Sequence, residues 1–534
     1  MDKQASSGSF DLSSLHIDWD LATKRLRKDI DDDFWPDPLS FNDFLREGMK
    51  TTIQDAIGSA YDPWEGAPYE VPKENYATRS AIYLTFWDRL AYQGIIDKLA
   101  DEVDSRINSS VFSFRLQGSG RYPMFKPAVQ QFKDFQNSVA EALKKNDAAY
   151  VVVTDLSHYF ESIKFAVLKD QLNDLVPSLG RVVDVLNRLL ARWSPYDHAG
   201  LPQNVDASSL LGNAMLHCVD EHMKRDGFVM FRYVDDIRIV TESEGSARQA
   251  LCSLVKRLRE LGLFINSAKT EILGPSASKM KDHRTPYDPE IARIEALIGQ
   301  KTRASIDEAI PKLHAKVTQI IQSERRDERK MRYCLNRLHS LKRYKDIEIG
   351  DLSEICGFVL TQLIKNPSQA ETYCKFLGFA GLANEYRQEI VRLLTKEPRI
   401  IYPWQLMHMW RLAIRLELLD DELIRKARSS LREDASDPAV GAAALYLGAL
   451  GNSTDREEIA RRIDACGEHF SARCHYVAVQ QSNPRSRNKV YSKVSRGRNR
   501  YLPQCLKELA SPRYCSLPEP LEIEELPDAM PSSY

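Results

Sequence analysis

The nine cysteines of this 534-residue chain include no CxxC pair and no finger-type spacing with histidine. That excludes a zinc-finger module and argues against a disulfide framework, leaving buried, reduced thiols. No apolar run is long enough to span a bilayer, and the opening MDKQASSGSF lacks the apolar core of a signal peptide. A cytoplasmic protein without a membrane partner is the expectation. An excess of one charge is missing too: 74 Lys plus Arg stand against 75 Asp plus Glu, a formal net charge of −1. The balance argues against indiscriminate coating of nucleic acid and does not exclude a local basic groove. Two clusters fit such a groove, ERRDERKMRYCLNRLHSLKRYK (324 to 345) and RSRNKVYSKVSRGRNRY (485 to 501). The first carries acids and reads equally well as a solvated helix face. The second has none, and its Tyr491 and Tyr501 suit base stacking.

What is present is globular, with 43% hydrophobic and 28% charged residues. The length exceeds one ordinary core and predicts two or three domains. Residues 1–148 are rich in helix formers and aromatics. Strand-like and helix-like stretches alternate over 149–285, where AYVVVTDL and FRYVDDIRIV read as strands. Residues 286–515 read as helix after helix with short polar breaks. Within them DPAVGAAALYLGALGN (437 to 452) has small residues at helix-contact spacing and is similar to a HEAT-type repeat. The tail 516–534 is acidic and broken by prolines, which predicts mobility. The fold class is α+β followed by an all-α helical-repeat domain.

Asp235 and Asp236 stand side by side in FRYVDDIRIV, where each raises the cost of ionising the other. A solvated hairpin turn and a divalent metal site are the two readings. Upstream, the apolar strand AYVVVTDL delivers Asp155 at its C-terminal end. A hairpin on an adjacent strand would bring Asp155, Asp235 and Asp236 together as hard oxygen donors suited to Mg²⁺. Two such ions about 3.5–4 Å apart serve in-line phosphoryl transfer. Between the strands lies GLPQNVDASSLLGNAML (200 to 216), a loop shaped by Gly200 and Pro202 and then a helix. After them comes LGLFINSAKTEIL (261 to 273), with Lys269 on a connection.

Together these stretches resemble the reverse transcriptases. Asp155 with Phe160 resembles motif A; GLPQ with Ser208 and Asn213, motif B; Tyr233-Val234-Asp235-Asp236, the YxDD of motif C; and GL-x-IN-x-x-KT, motif D. Their order covers residues from about 150 to 275, and residues 86 to 107 and 111 to 116 look like the fingers of bacterial members. With its helical C-terminal half, the chain is most similar to bacterial abortive-infection (Abi-type, unknown-group) reverse transcriptases. These join a fingers–palm core to helical repeats and act against phages. No integrase, nuclease or ribonuclease H motif accompanies it. Asn204 and Asp206 depart from the Gly and Pro usual in motif B, which puts ordinary processive copying of a long template in doubt.

The resemblance implies a DNA polymerase, RNA-directed or template-independent, using dNTPs and Mg²⁺, with Mn²⁺ as a substitute. Asp155 and Asp235 would bridge two metal ions, with Asp236 as a further ligand or tuning carboxylate and the Leu156 carbonyl completing one sphere. Phe160 would stack under the sugar and exclude a 2′-OH, or else be a core phenylalanine. Gln203 would touch the nucleotide, or brace its loop. Lys269 would protonate or hold the pyrophosphate, or lie in solvent. Arg115, Arg121 and Lys126 are alternative grips on the triphosphate, and Tyr233 would pack beneath the primer end. Tyr534 is a candidate priming residue. Nucleic acid, as non-coding RNA or DNA product, and further copies of the chain are the implied partners. The alternatives are a retron-like or intron-like enzyme copying one bound non-coding RNA, and an inactive palm serving as a nucleic-acid-binding scaffold.

Overall fold

The strands in the computed structural model are β1 (Ala67–Pro72), β2 (Thr78–Tyr83), β3 (Tyr150–Thr154), β4 (Val229–Tyr233), β5 (Asp236–Thr241) and β6 (Glu271–Leu273). Residues 9–29, 34–45, 57–58, 61–323, 327–434, 436–466 and 470–494 are described. The acidic tail with Tyr534, and residues 495–501 of the second basic cluster, lie outside them.

Strand β3 is YVVVT, whose stiff β-branched side chains suit a pleated, buried surface. It is one of the two inner strands of a four-stranded antiparallel sheet ordered β4-β5-β3-β6. Strict alternation divides the faces. Val151, Val153, Phe231, Tyr233 and Val240 pack on a cluster with Phe132, Phe135, Val139, Leu143 and Met280. Val152, Ile237 and Ile239 point the other way and are fully buried.

The helices of this part are α1 (Trp19–Asp29), α2 (Asn42–Leu45), α3 (Phe86–Arg106), α4 (Ala128–Lys144), α5 (Tyr159–Ser162), α6 (Phe165–Leu175), α7 (Gly180–Trp193), α8 (Asp206–Arg225), α9 (Glu244–Glu260) and α10 (Met280–Arg284). Helix α4 supplies Phe132 and Phe135 to one sheet face, while α8 and α9 pack on the sheet from the other side. Helix α3, capped by the Thr85 side chain, is buried along most of its length.

The chain divides into two compact units. One holds the sheet and runs to Pro286; the other takes in Tyr287 onward together with Asp37–Leu39 and Glu70–Arg79. Sequence reading placed those two short segments with the first part. Inside the second unit the buried Arg473 guanidinium holds the buried Asp37 carboxylate, a pairing that only tertiary structure reveals.

The second unit contains α11 (Pro289–Gly299), α12 (Arg303–Gln322), α13 (Glu328–Leu341), α14 (Ser353–Lys365), α15 (Ala370–Leu377), α16 (Asn384–Lys396), α17 (Pro403–Arg415), α18 (Asp421–Ser430), α19 (Pro438–Leu450), α20 (Ser453–Arg462), α21 (Phe470–Ala478) and α22 (Pro484–Val494). Several of the polar breaks seen in the sequence are N-caps: Asp288, Thr302, Asp327, Asp420, Asp437 and Asn452 each accept backbone N–H bonds. Helices α13, α15, α17, α19 and α21 pack in succession as one row, and α12, α14, α16 and α18 as a second. Small residues let α19 and α21 approach closely. A Cβ added to Gly448 would lie 2.5 Å from the Ala478 Cα, and one on Gly441 2.9 Å from the Ser471 Cα. No described helix is long and apolar enough to cross a membrane.

Candidate active site

Strand β3 ends opposite the start of β5, with Thr154 paired to Ile237. One residue after Thr154 comes Asp155 and one before Ile237 comes Asp236, so the antiparallel register, carried one step on, sets these two positions opposite each other. Tyr233 pairs with Asp236 across a two-residue turn made of Val234 and Asp235. Asp155 is anchored from a third direction, because its carbonyl accepts the Asn266 N–H at 2.8 Å and Leu156 bridges to Ile265.

The electrostatics are those of crowded acids. Burial pushes the Asp235 carboxyl up to about 6; its own backbone N–H opposes this, the charges of Asp236 and Asp155 add to the rise, and Lys269 offsets it. The Lys269 ammonium donates to Asp155 Oδ2 at 2.9 Å. The other oxygen, Asp155 Oδ1, is buried without a hydrogen-bond partner. An orphaned carboxylate oxygen beside a second carboxyl that burial and like charges disfavour ionising is what a hard divalent cation would satisfy.

Asp236, expected as a further ligand or a tuning carboxylate, is paired on one oxygen. Its Oδ1 accepts from Arg238 Nη1 at 2.9 Å, because residues two apart on a strand share a face. Among the described residues no three His, Cys, Asp or Glu side chains form a metal-binding group. Asp155 thus keeps an oxygen without a partner, whereas one Asp236 oxygen is taken by Arg238.

The remaining expected residues separate into those near these carboxylates and those committed elsewhere. Phe160 lies on α5 against α8, at a point where α8 has no side chain. A Cβ on Gly212 would meet the Phe160 ring at 3.2 and 3.3 Å, and the neighbouring Tyr159 hydroxyl donates to the Gly212 carbonyl. Gly212 was not singled out from sequence, since a lone glycine in an apolar helix carries no signal by itself. The Gln203 amide donates to the Ser80 carbonyl and to Glu161 at 3.2 and 3.3 Å, the bracing role. Asn204 stands at φ 59, a left-handed conformation that asparagine tolerates. The Asn-for-Gly departure therefore keeps a backbone glycine would also adopt. Ser208 bonds the Tyr92 hydroxyl at 2.9 Å.

Arg115 is a correction. Its guanidinium donates to the Asp104 carboxylate at 2.7 Å and to the carbonyls of Asp104, Asn108 and Val111. These bonds build the loop after α3 and leave it a structural clamp rather than a triphosphate grip. Arg121, on the turn closed by the Leu116–Phe125 bridge, and Lys126, just after it, are exposed. Tyr233 packs edge-on against Phe132, ring centroids 5.1 Å apart, and burial raises its phenol. In the first basic cluster, Lys330 pairs with Asp288 at 3.0 Å and Arg337 with Glu295 at 2.7 Å, so these two cations are matched by acids.

A family model described as reverse transcriptase (RNA-dependent DNA polymerase) matches residues 71–379, more than half of the chain. The chain belongs to the reverse transcriptase family. That family comprises DNA nucleotidyltransferases and generally uses divalent metal ions. No curated protein matches the sequence. Among solved structures, apo telomerase from Candida tropicalis, truncated from its C-terminal domain, aligns at 13% identity over 40% of this chain and 51% of that one, TM-score 0.32. Telomerase from Candida albicans, in complex with the TWJ fragment of telomeric RNA, aligns at 12% identity over 69% and 66%, TM-score 0.31. The chain spans half to about two-thirds of the length of these telomerases, and at such scores the likeness is faint.

Proposed function

We propose that this chain extends DNA strands from deoxynucleoside triphosphates by metal-dependent nucleotidyl transfer at Asp155 and Asp235. The observation that carries the reading is the placement of Asp155 Oδ1, buried and unpartnered, beside a carboxyl raised by burial and further by its acidic neighbours. Mg²⁺, when bound, would activate the attacking hydroxyl and neutralise charge on the departing pyrophosphate. The protein's own part is positional. Strand register sets Asp155 against the motif C turn, and Lys269 holds one Asp155 oxygen while bringing a cation toward the site. The Phe160 ring, seated over Gly212, would limit the room available to a ribose 2′-OH.

The finer assignment is an Abi-type enzyme of bacterial anti-phage defence. Its support is the resemblance in motifs A to D joined to a two-row helical unit that suits HEAT-like repeats. The same resemblance supports cytoplasmic location, homo-oligomers, bound nucleic acid and priming from a tyrosine such as Tyr534. Sequencing the DNA made by purified protein from all four dNTPs tests this. Random or homopolymer product supports template-free synthesis, and a faithful copy of one co-purifying RNA would replace it with the retron-like reading. RNA co-purification with no incorporation in any nucleotide mixture would leave the scaffold.

A further inference from the structure

The turn that carries Asp235 runs against the preference of its own residues. Val234 has φ 57, the left-handed region, where a β-branched side chain crowds the backbone. A two-residue hairpin with a positive φ at its first position ordinarily takes glycine there. Both hydrogen-bonding groups of the Val234 main chain are instead pinned by side chains. Its N–H donates to the Ser113 hydroxyl at 2.7 Å, and its carbonyl accepts from Arg232 Nη1 at 2.9 Å.

These pins are themselves braced. Arg232 is a charged residue on the inward face of β4, 1% exposed, where alternation calls for an apolar one. Its guanidinium makes a two-pronged pair with Asp220 of α8, at 2.9 and 2.6 Å, and also donates to Asn213 Oδ1 at 3.0 Å. Burial alone would ease its proton off, but the Asp220 charge and bonds more than offset this, and the guanidinium stays charged. Asn213 in turn donates to the Ser113 carbonyl at 2.8 Å. Ser113, Asn213, Asp220 and Arg232 thus form one closed buried network, and its outlet is the Val234 peptide.

We infer that Ser113 and Arg232, braced by Asn213 and Asp220, are positioning residues that hold the Val234–Asp235 turn in its disfavoured conformation and so fix where the Asp235 carboxylate stands. The inference rests on the metal-dependent reading of Asp235, and it adds a cause for that carboxylate's position. Strain of this kind persists only where surrounding bonds over-determine it. Without them the turn relaxes and Asp235 leaves its place beside Asp155. A glycine at 234, which meets no penalty at this φ, lessens the need for the pins.

The test measures Mn²⁺ binding by the full chain, read as free Mn²⁺ in a spin-resonance titration, alongside primer extension on the same preparations. Ser113→Ala is expected to weaken Mn²⁺ binding about tenfold, the equivalent of one lost buried hydrogen bond, and to slow extension in parallel. Adding Val234→Gly to Ser113→Ala is expected to restore most of both, which no packing role for Ser113 would produce. Mn²⁺ affinity unchanged by Ser113→Ala, or a loss that Val234→Gly leaves untouched, overturns the inference. Should Ser113→Ala fail to fold, hydrogen exchange of the wild-type chain decides. The Val234 amide is expected to exchange as slowly as the β5 amides, and exchange at the rate of an open turn overturns the proposal. A wild type that binds Mn²⁺ as expected but extends no primer removes the polymerase reading and leaves the positioning inference standing.

Discussion

Replacing Asp235 by asparagine is expected to stabilise the metal-free protein while abolishing activity. The ordinary aspartate value of 3.8 is raised to about 6 in this carboxyl, so the folded state binds its proton more tightly than the unfolded chain does. The stability linked to that proton is fully present below 3.8 and is lost as pH rises through 6. At about 1.4 kcal/mol per tenfold, the ionised form costs roughly 3 kcal/mol as a ceiling, and about 2 kcal/mol for a side chain only half-buried. The advantage of Asp235→Asn over wild type should therefore grow from near zero at pH 4 to about 2 kcal/mol above pH 6.5, or ~4–8 °C in a domain of this size. The assay is thermal denaturation in chelator across that range, with unfolding followed by hydrogen exchange at β3 and β5. Mg²⁺ added at pH 7.5 should raise the wild type and close the gap. A difference that stays flat with pH, or a variant less stable than wild type at pH 7.5, refutes the reasoning.

Lys269 lowers the Asp235 carboxyl, so Lys269→Met should move the acidic limb of the pH–rate profile upward, by about half to one pH unit; an unmoved limb contradicts this. Gly212→Ala brings a Cβ to 3.2 Å from the Phe160 ring. It should cut kcat/KM for dNTPs about tenfold and alter discrimination against ribonucleotides, measured by paired primer extension, with thermal stability nearly unchanged. Gly448→Ala drives a Cβ into the Ala478 backbone at 2.5 Å and should destabilise the second unit by about 1–3 kcal/mol, seen as a lower midpoint in urea.

The strands and turn of the site were legible because their signals are local. A β-branched run, a doubled acid inside an alternating strand and a glycine-led loop each stand on a few adjacent residues. The pairing of Asp236 with Arg238 was readable in principle from the same alternation, since two residues apart on a strand means one face. Arg115 was not readable. Its partners are one carboxylate and three carbonyls from the last turn of α3 and the loop after it, and a guanidinium committed to carbonyls looks in sequence like one awaiting a phosphate. Gly212 and Arg232 were missed for related reasons. The first matters through what it lacks, and the second through Asp220 and Asn213, which reach it only after α8 has packed on the sheet. The pairing of Asp37 with Arg473 joins residues from opposite ends of the chain, and no local pattern announces it.

The account stands most directly on single-turnover incorporation of one labelled dNTP onto a primer, comparing wild type with Asp155→Asn at equal folded fraction. It predicts incorporation by the wild type with Mg²⁺, none in chelator, and a loss of at least about a thousandfold in the variant. Equal incorporation by the two proteins would contradict it.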